Sequence, residues 1–188
     1  RWYNNNHESR TKSRTRLRTG RYINFARKKI SNNKLGMRDV LRPRPISYGM
    51  KLILHENNKY VLRFDRDEEL LEALRTFCDA ESVASGFFFC LGAAEKITIA
   101  YYDINKKEYE DKDLDIHLEI TSMLGNISTS DGRVTIHCHG NFSDKDMRVY
   151  GGHVKKLAVS ATCEVILEKF EGKIGRALDK DIGLNLLK

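Results

Sequence analysis

The sequence predicts an α+β domain: a largely antiparallel sheet of about seven strands with one main helix. Three observations carry that prediction. Apolar and polar residues alternate with a period of two through most of the chain after Met50, as in half-buried strands. Apolar residues recur at helical spacing in only one segment, Leu70, Leu71, Leu74, Phe77 and Cys78. The connections between these segments are short and turn-like.

The elements follow in order. Met50–Leu54 and Lys59–Phe64 read as two strands joined across His55-Glu-Asn-Asn58. Asp65 or Asp67 is then expected to cap the helix, with Glu68 and Glu69 favourable near its positive end. Its apolar stripe is expected to face the core. Ser82–Gly92 is a short continuous apolar run, which suggests a strand buried on both faces. Glu95–Asp103 continues as a strand, and Asn105-Lys-Lys107 turns. Leu114, Ile116, Leu118 and Ile120 alternate with Asp115, His117, Glu119 and Thr121. Glu119 and His117 on that polar face belong either beside a bound metal or to a solvated or subunit-facing surface. Val154–Phe170 is long enough to pair with more than one neighbour, and Arg176–Leu187 closes the chain with a short apolar tail.

The chain's 188 residues suit one domain with a tail, divided here at residue 50. No run approaches the ~18–20 apolar residues that cross a bilayer, so no membrane partner is expected. Cys78, Cys90, Cys138 and Cys163 lack Cys-x-x-Cys spacing. Three lie within apolar patterns, as small buried residues of a reducing, cytoplasmic compartment do. The net charge of +7 is unevenly placed. Residues 1–49 hold 14 Lys/Arg and 2 Asp/Glu, a balance of +12, whereas the remainder stands at −5. That first segment shows no apolar period and is expected to be disordered. Three readings of it stay open. It is a basic arm that neutralises DNA phosphates, a solvated tail without a role, or an extension foreign to the natural protein, since the chain starts without Met and Met50 immediately precedes the first strand. Arg42-Pro43-Arg44-Pro45 is similar to the Arg-Gly-Arg-Pro core of an AT-hook, with Pro43 in place of the glycine. Arg42 and Arg44 are therefore the candidate nucleic-acid contacts.

The chemistry-bearing stretch is Gly132-Arg-Val-Thr-Ile-His-Cys-His-Gly140, followed by Tyr150-Gly-Gly-His153. Strand alternation puts His137 and His139 on one face, about 6–7 Å apart. Neutral imidazole is a common ligand for zinc and similar ions. If residues 140–149 form a hairpin, His153 returns beside the other two after a flexible Gly-Gly pair. Three histidines would leave an open coordination position, unlike a closed structural site. Six histidines in 188 residues is ordinary, so a plain polar strand face is the competing reading. Dinucleotide, Walker and nucleophile-elbow motifs are missing, and no exposed cysteine nucleophile is paired with a histidine.

Residues 59–187 resemble the plant-and-prokaryote-conserved (PPC) domain, in its stand-alone prokaryotic form. Four stretches carry the resemblance: Ser85-Gly86 through Gly92-Ala93; Leu118-Glu119 through Gly125-Asn126-Ile127; His137-Cys-His139 with Gly151-Gly-His153; and Arg176-Ala-Leu-Asp179 with Gly183-Leu184 and Leu186-Leu187. The resemblance implies a single α+β domain assembling as a homotrimer. It also implies a metal, zinc or another divalent ion, held by His137, His139 and His153. Plant members place the domain after AT-hooks in nuclear DNA-binding proteins, where it mediates protein association. Two functional expectations follow. One is a homotrimeric binding and assembly module, attached to DNA through the basic arm. The other is a metal-dependent enzyme or small-ligand binder with its site at a subunit interface and Glu119 as general base. A cupin-like metal barrel is disfavoured by its missing Gly-Pro-type second motif.

Overall fold

The structure is a computed structural model and describes residues 50–188. The expected disorder of residues 1–49 and the roles given to Arg42 and Arg44 lie outside the described residues. Among the described residues, eight strands and one helix follow in the order β1 (Lys51–Glu56), β2 (Lys59–Asp65), α1 (Leu70–Ala80), β3 (Gly86–Asp103), β4 (Glu108–Ser130), β5 (Arg133–Ser143), β6 (Val149–Lys169), β7 (Arg176–Asp179) and β8 (Leu184–Leu187). That is one strand more than the sequence predicts. The apolar tail adds two strands by folding back on itself as a β7–β8 hairpin, while the expected strands in Ser82–Gly92 and Glu95–Asp103 run together as the single β3.

All pairings of the main sheet are antiparallel, in the order β1-β2-β6-β3-β4-β5. β5 also pairs with β6, from His139↔His153 to Ser143↔Val149. Strands β3, β4, β5 and β6 therefore close on themselves as a small barrel. The 21 residues of β6 serve three partners, β2, β3 and β5, which its length in the sequence anticipates. Closing strands this long requires local bends, and β-bulges supply them. β3 shifts register against β6 around Gly92 and Ala94. Gly92 has φ +150°, and a Cβ there would meet Thr162 O at 2.2 Å, so only glycine lets the two backbones approach at this corner.

The core lies on the inner face of the sheet. Phe64, Phe88, Phe142, Leu62, Leu157 and Val159 are fully buried there, with Leu70, Leu74 and Phe77 of α1 against them. All four cysteines are free and buried, as expected. Burial pushes the Cys78 and Cys138 thiols up to about 12. At neutral pH they are inert packing groups.

Two local expectations are corrected. The helix is capped by Glu69, whose carboxylate accepts the Glu72 N–H at 2.7 Å, and not by Asp65 or Asp67. Docking onto β6 decides this. Asp67 N–H donates to Val159 O at 2.9 Å, Val159 N–H donates to Glu68 O at 3.0 Å, and the Glu69 carboxylate also accepts the Leu157 N–H. Asp67 itself is turned into the left-handed region, with φ 68°. The run Ser82–Gly92 is likewise not buried on both faces. Phe88 and Cys90 point inward, but Phe87, Phe89 and Leu91 are 40%, 38% and 54% exposed on the outer face.

The core makes one stability prediction. A Cβ on Gly125 would lie 2.4 Å from the Phe88 ring and 2.8 Å from Cys138 Cβ. Both neighbours are buried, so neither can swing away. Gly125→Ala is expected to lower stability by about 1–3 kcal/mol through overpacking, read as a lower urea midpoint at unchanged m-value.

Candidate metal centre

The site is built where the barrel closes. On β5, Cys138, Gly140 and Phe142 are buried, so His137 and His139 take the outer face. On β6, Val154 is buried and His153 faces out beside His139, its direct cross-strand partner. Opposed residues in such a pair hold their Cβ atoms about 4.5–5.5 Å apart. Gly151 and Gly152 sit opposite Asn141 and Gly140 in the same ladder. A Cβ on Gly152 would meet Ala100 O at 2.9 Å, so the glycine lets β6 squeeze between β3 and β5.

The three expected ligands converge. Their candidate ligand atoms all lie within 4.8 Å of one another. Ring centroids are separated by 5.2 Å (His137–His139), 5.1 Å (His137–His153) and 5.4 Å (His139–His153). A tetrahedral zinc with Zn–N of about 2.1 Å needs nitrogens about 3.4 Å apart. Small rotations of three adjacent rings cover that difference. His153 Nδ1 is buried without a hydrogen-bond partner, an arrangement that costs free energy unless something accepts its lone pair or proton. The donor set is all imidazole nitrogen, which suits zinc and neighbouring divalent ions. The residues fit a metal.

The electrostatics agree. Burial first, then the charges of Arg176 and His139, hold the His137 imidazole below its ordinary value. Burial, His137, His139 and Lys155 push His153 down to about 4. Both rings are thus neutral ligands at physiological pH. The sign for the metal-free chain follows by linkage. Between pH 6.5 and about 4 the unfolded chain binds protons at position 153 that the folded chain refuses. Stability is therefore fully present above pH 6.5 and falls as the pH drops towards 4. Urea midpoints of chelator-treated protein are expected to decline across this window, with a shallower decline in His153→Asn.

Three further side chains frame the site and were not among the candidates. Tyr109 stacks on His153 with centroids 4.9 Å apart. Asn126 is the cross-strand partner of His137. Arg176 on β7 reaches over the sheet to Asn126 Oδ1 at 2.8 Å and Ser128 Oγ at 2.7 Å. Asn126 and Arg176 stand inside stretches that carry the family resemblance, so their signal was present. Tyr109 had none, because its position depends on the β3–β4 register. Lys155 lies over the Tyr109 ring at 4.8 Å and pairs with Asp111. Glu119 is placed elsewhere. It pairs with Ala93 and Ser143, five residues along β4 from Leu124, the partner of His139. At ~3.3 Å per residue that is about 17 Å of strand. Within one protomer neither Glu119 nor His117 lies beside the three histidines.

The model of the Plants and Prokaryotes Conserved (PCC) domain matches residues 54–171. Arg176–Leu187 falls beyond that match. Solved structures share the fold. A metal-containing protein from Archaeoglobus fulgidus is 33% identical, with a TM-score of 0.66 over 72% of this chain and 96% of that one. A plant- and prokaryote-conserved (PPC) protein from Pyrococcus horikoshii is 31% identical, with a TM-score of 0.66 over 70% and 92%. A protein from Bacteroides thetaiotaomicron, named a "putative DNA binding protein", is 27% identical, with a TM-score of 0.70 over 72% and 94%. No curated protein matches the chain.

Proposed function

The chain belongs to the Plants and Prokaryotes Conserved domain family, and from that premise we propose that it is a homotrimeric binding and assembly module holding a divalent metal, with zinc first in order, on His137, His139 and His153. The observation that carries this reading is the convergence of three outward imidazoles within 4.8 Å. The metal-containing Archaeoglobus relative supports it. When bound, the ion supplies Lewis acidity and an open coordination position. This chain's three histidines would hold it, with Tyr109 stacked against His153.

Support for self-association comes from the outer face of the sheet. Phe89 lies in register between Leu124 and Ile166, and all three are exposed in the single chain. Leu124 is in turn the cross-strand partner of His139, so the apolar band runs up to the metal site. Neighbouring subunits seated on that band would put the ion at a subunit boundary.

The DNA role, suggested by the name of the Bacteroides relative, belongs in our reading to residues 1–49, including Arg42 and Arg44. The rest of the chain carries a balance of −5 and would repel phosphates. Among the described residues no helix is long and apolar enough to cross a membrane. The four free thiols fit a reducing, cytoplasmic setting.

Metal analysis by mass spectrometry, on protein purified without chelator, tests the proposal together with native mass. One ion per chain in a particle of three chains is expected. A metal-free protein that also fails to take up added zinc would end the metal reading.

A further inference from the structure

The site carries a cation that its histidines do not require. The Arg176 guanidinium donates from Nε to Ser128 Oγ at 2.7 Å, from Nη2 to Asn126 Oδ1 at 2.8 Å and from Nη1 to Asn185 O at 2.7 Å. All three acceptors are neutral. Among the described residues no carboxylate lies within 4.0 Å of it. Three of its five N–H groups are used, which leaves one on each terminal nitrogen. The hydrogen bonds pin the β7–β8 hairpin over the sheet, but none of their acceptors is an anion. The charge has no partner to explain it.

Its placement gives it one. Asn126, which orients the guanidinium, is the direct cross-strand neighbour of His137. The other nearby cation, Lys155, already has Asp111. Three neutral imidazoles leave a bound dication with its full charge of +2. Arg176 adds a further positive charge at the rim, and the three ligand positions supply no carboxylate to offset either. Two like charges held close in a partly buried place repel unless an anion bridges them.

We propose that the three-histidine site takes a small oxyanion, a carboxylate or a phosphate, and that Arg176 is the residue that selects it by charge. This rests on the metal reading above. The oxyanion would occupy the open coordination position with one oxygen and meet the free N–H groups of Arg176 with another. A guanidinium N–H to an anionic oxygen is a charge-assisted hydrogen bond, roughly twice as strong as a neutral one.

The test uses the full-length protein loaded with cobalt(II), whose visible spectrum reports its ligands. Acetate, inorganic phosphate and the neutral isostere acetamide are titrated separately against wild type, Arg176→Gln and Arg176→Lys. Cobalt stoichiometry is measured on each. In the wild type, acetate or phosphate is expected to shift the visible bands at concentrations at least tenfold below acetamide. The tighter of the two identifies the source. Arg176→Gln is expected to take up cobalt normally but lose about 10- to 100-fold in anion affinity, as for a charge-assisted hydrogen bond, with partial recovery in Arg176→Lys. Acetamide binding as tightly as acetate and phosphate, or an unchanged anion affinity in Arg176→Gln, would overturn the proposal. Should Arg176→Gln fail to fold, the wild-type comparison of charged and neutral probes still decides. Failure of the wild type to bind cobalt at all is a separate outcome: it removes the metal reading and this proposal with it.

Discussion

Replacing His153 by alanine is expected to weaken metal binding about a hundredfold or more. His153 is the one ligand that arrives from β6, opposite His139, and it closes the triangle with His137 at 5.1 Å between rings. Removing it leaves two imidazoles on one strand. If roughly 12 kcal/mol of zinc affinity is shared among four ligands, each is worth about 3 kcal/mol. The loss is then about a hundredfold or more in dissociation constant. Competition against a chromophoric chelator measures it. His139→Ala should behave alike and is the cleaner control, because His139 is exposed and its truncation should change the stability of the metal-free chain by no more than about 0.5 kcal/mol. The His153 variant should lose little stability without metal, since its Nδ1 is buried without a hydrogen-bond partner. An unchanged dissociation constant in either variant would show that the ion, if present, sits elsewhere.

Phe89→Asp is expected to turn the proposed trimer into monomers. Phe89, Leu124 and Ile166 form one row across β4, β3 and β6, at 38%, 55% and 41% exposure, with Phe87 and Leu91 above and below on the same strand. A contiguous apolar face of this kind marks an interaction surface. A central aromatic in such a patch is worth about 2 kcal/mol or more. Three symmetric copies then amount to about 6 kcal/mol, or roughly four orders of magnitude in the association constant. The carboxylate adds a desolvation cost. Native mass spectrometry over a dilution series reads the change. Phe89 does not point into the core, so far-UV circular dichroism should be unaltered. A Phe89→Asp protein that stays trimeric, or a wild type that is monomeric, would dispose of the assembly model.

The misread elements share a cause. Within Ser82–Gly92, five consecutive apolar residues, Phe87–Leu91, do not distinguish a core strand from a face waiting for another chain. Asp67 looked like a cap because Asp is a good one. The helix start was instead set by hydrogen bonds to β6, about ninety residues downstream. The place of Glu119 likewise does not follow from its alternation onto a polar face. Which part of that face meets the histidines depends on the β4–β5 register, with Leu124 opposite His139.

The largely antiparallel sheet, the helix around Leu70–Cys78, the burial of the cysteines and the shared face of His137 and His139 were determined by the sequence alone. Each depends on a period of two or 3.6, or on side-chain chemistry within a few residues. Tertiary structure decided the rest: that the sheet closes as a barrel, that His153 lands opposite His139, and that Arg176 and Tyr109 frame the site. Those positions come from pairing between strands far apart in the chain. Alternation within one strand says which face a side chain takes, but not which side chain of another strand stands next to it.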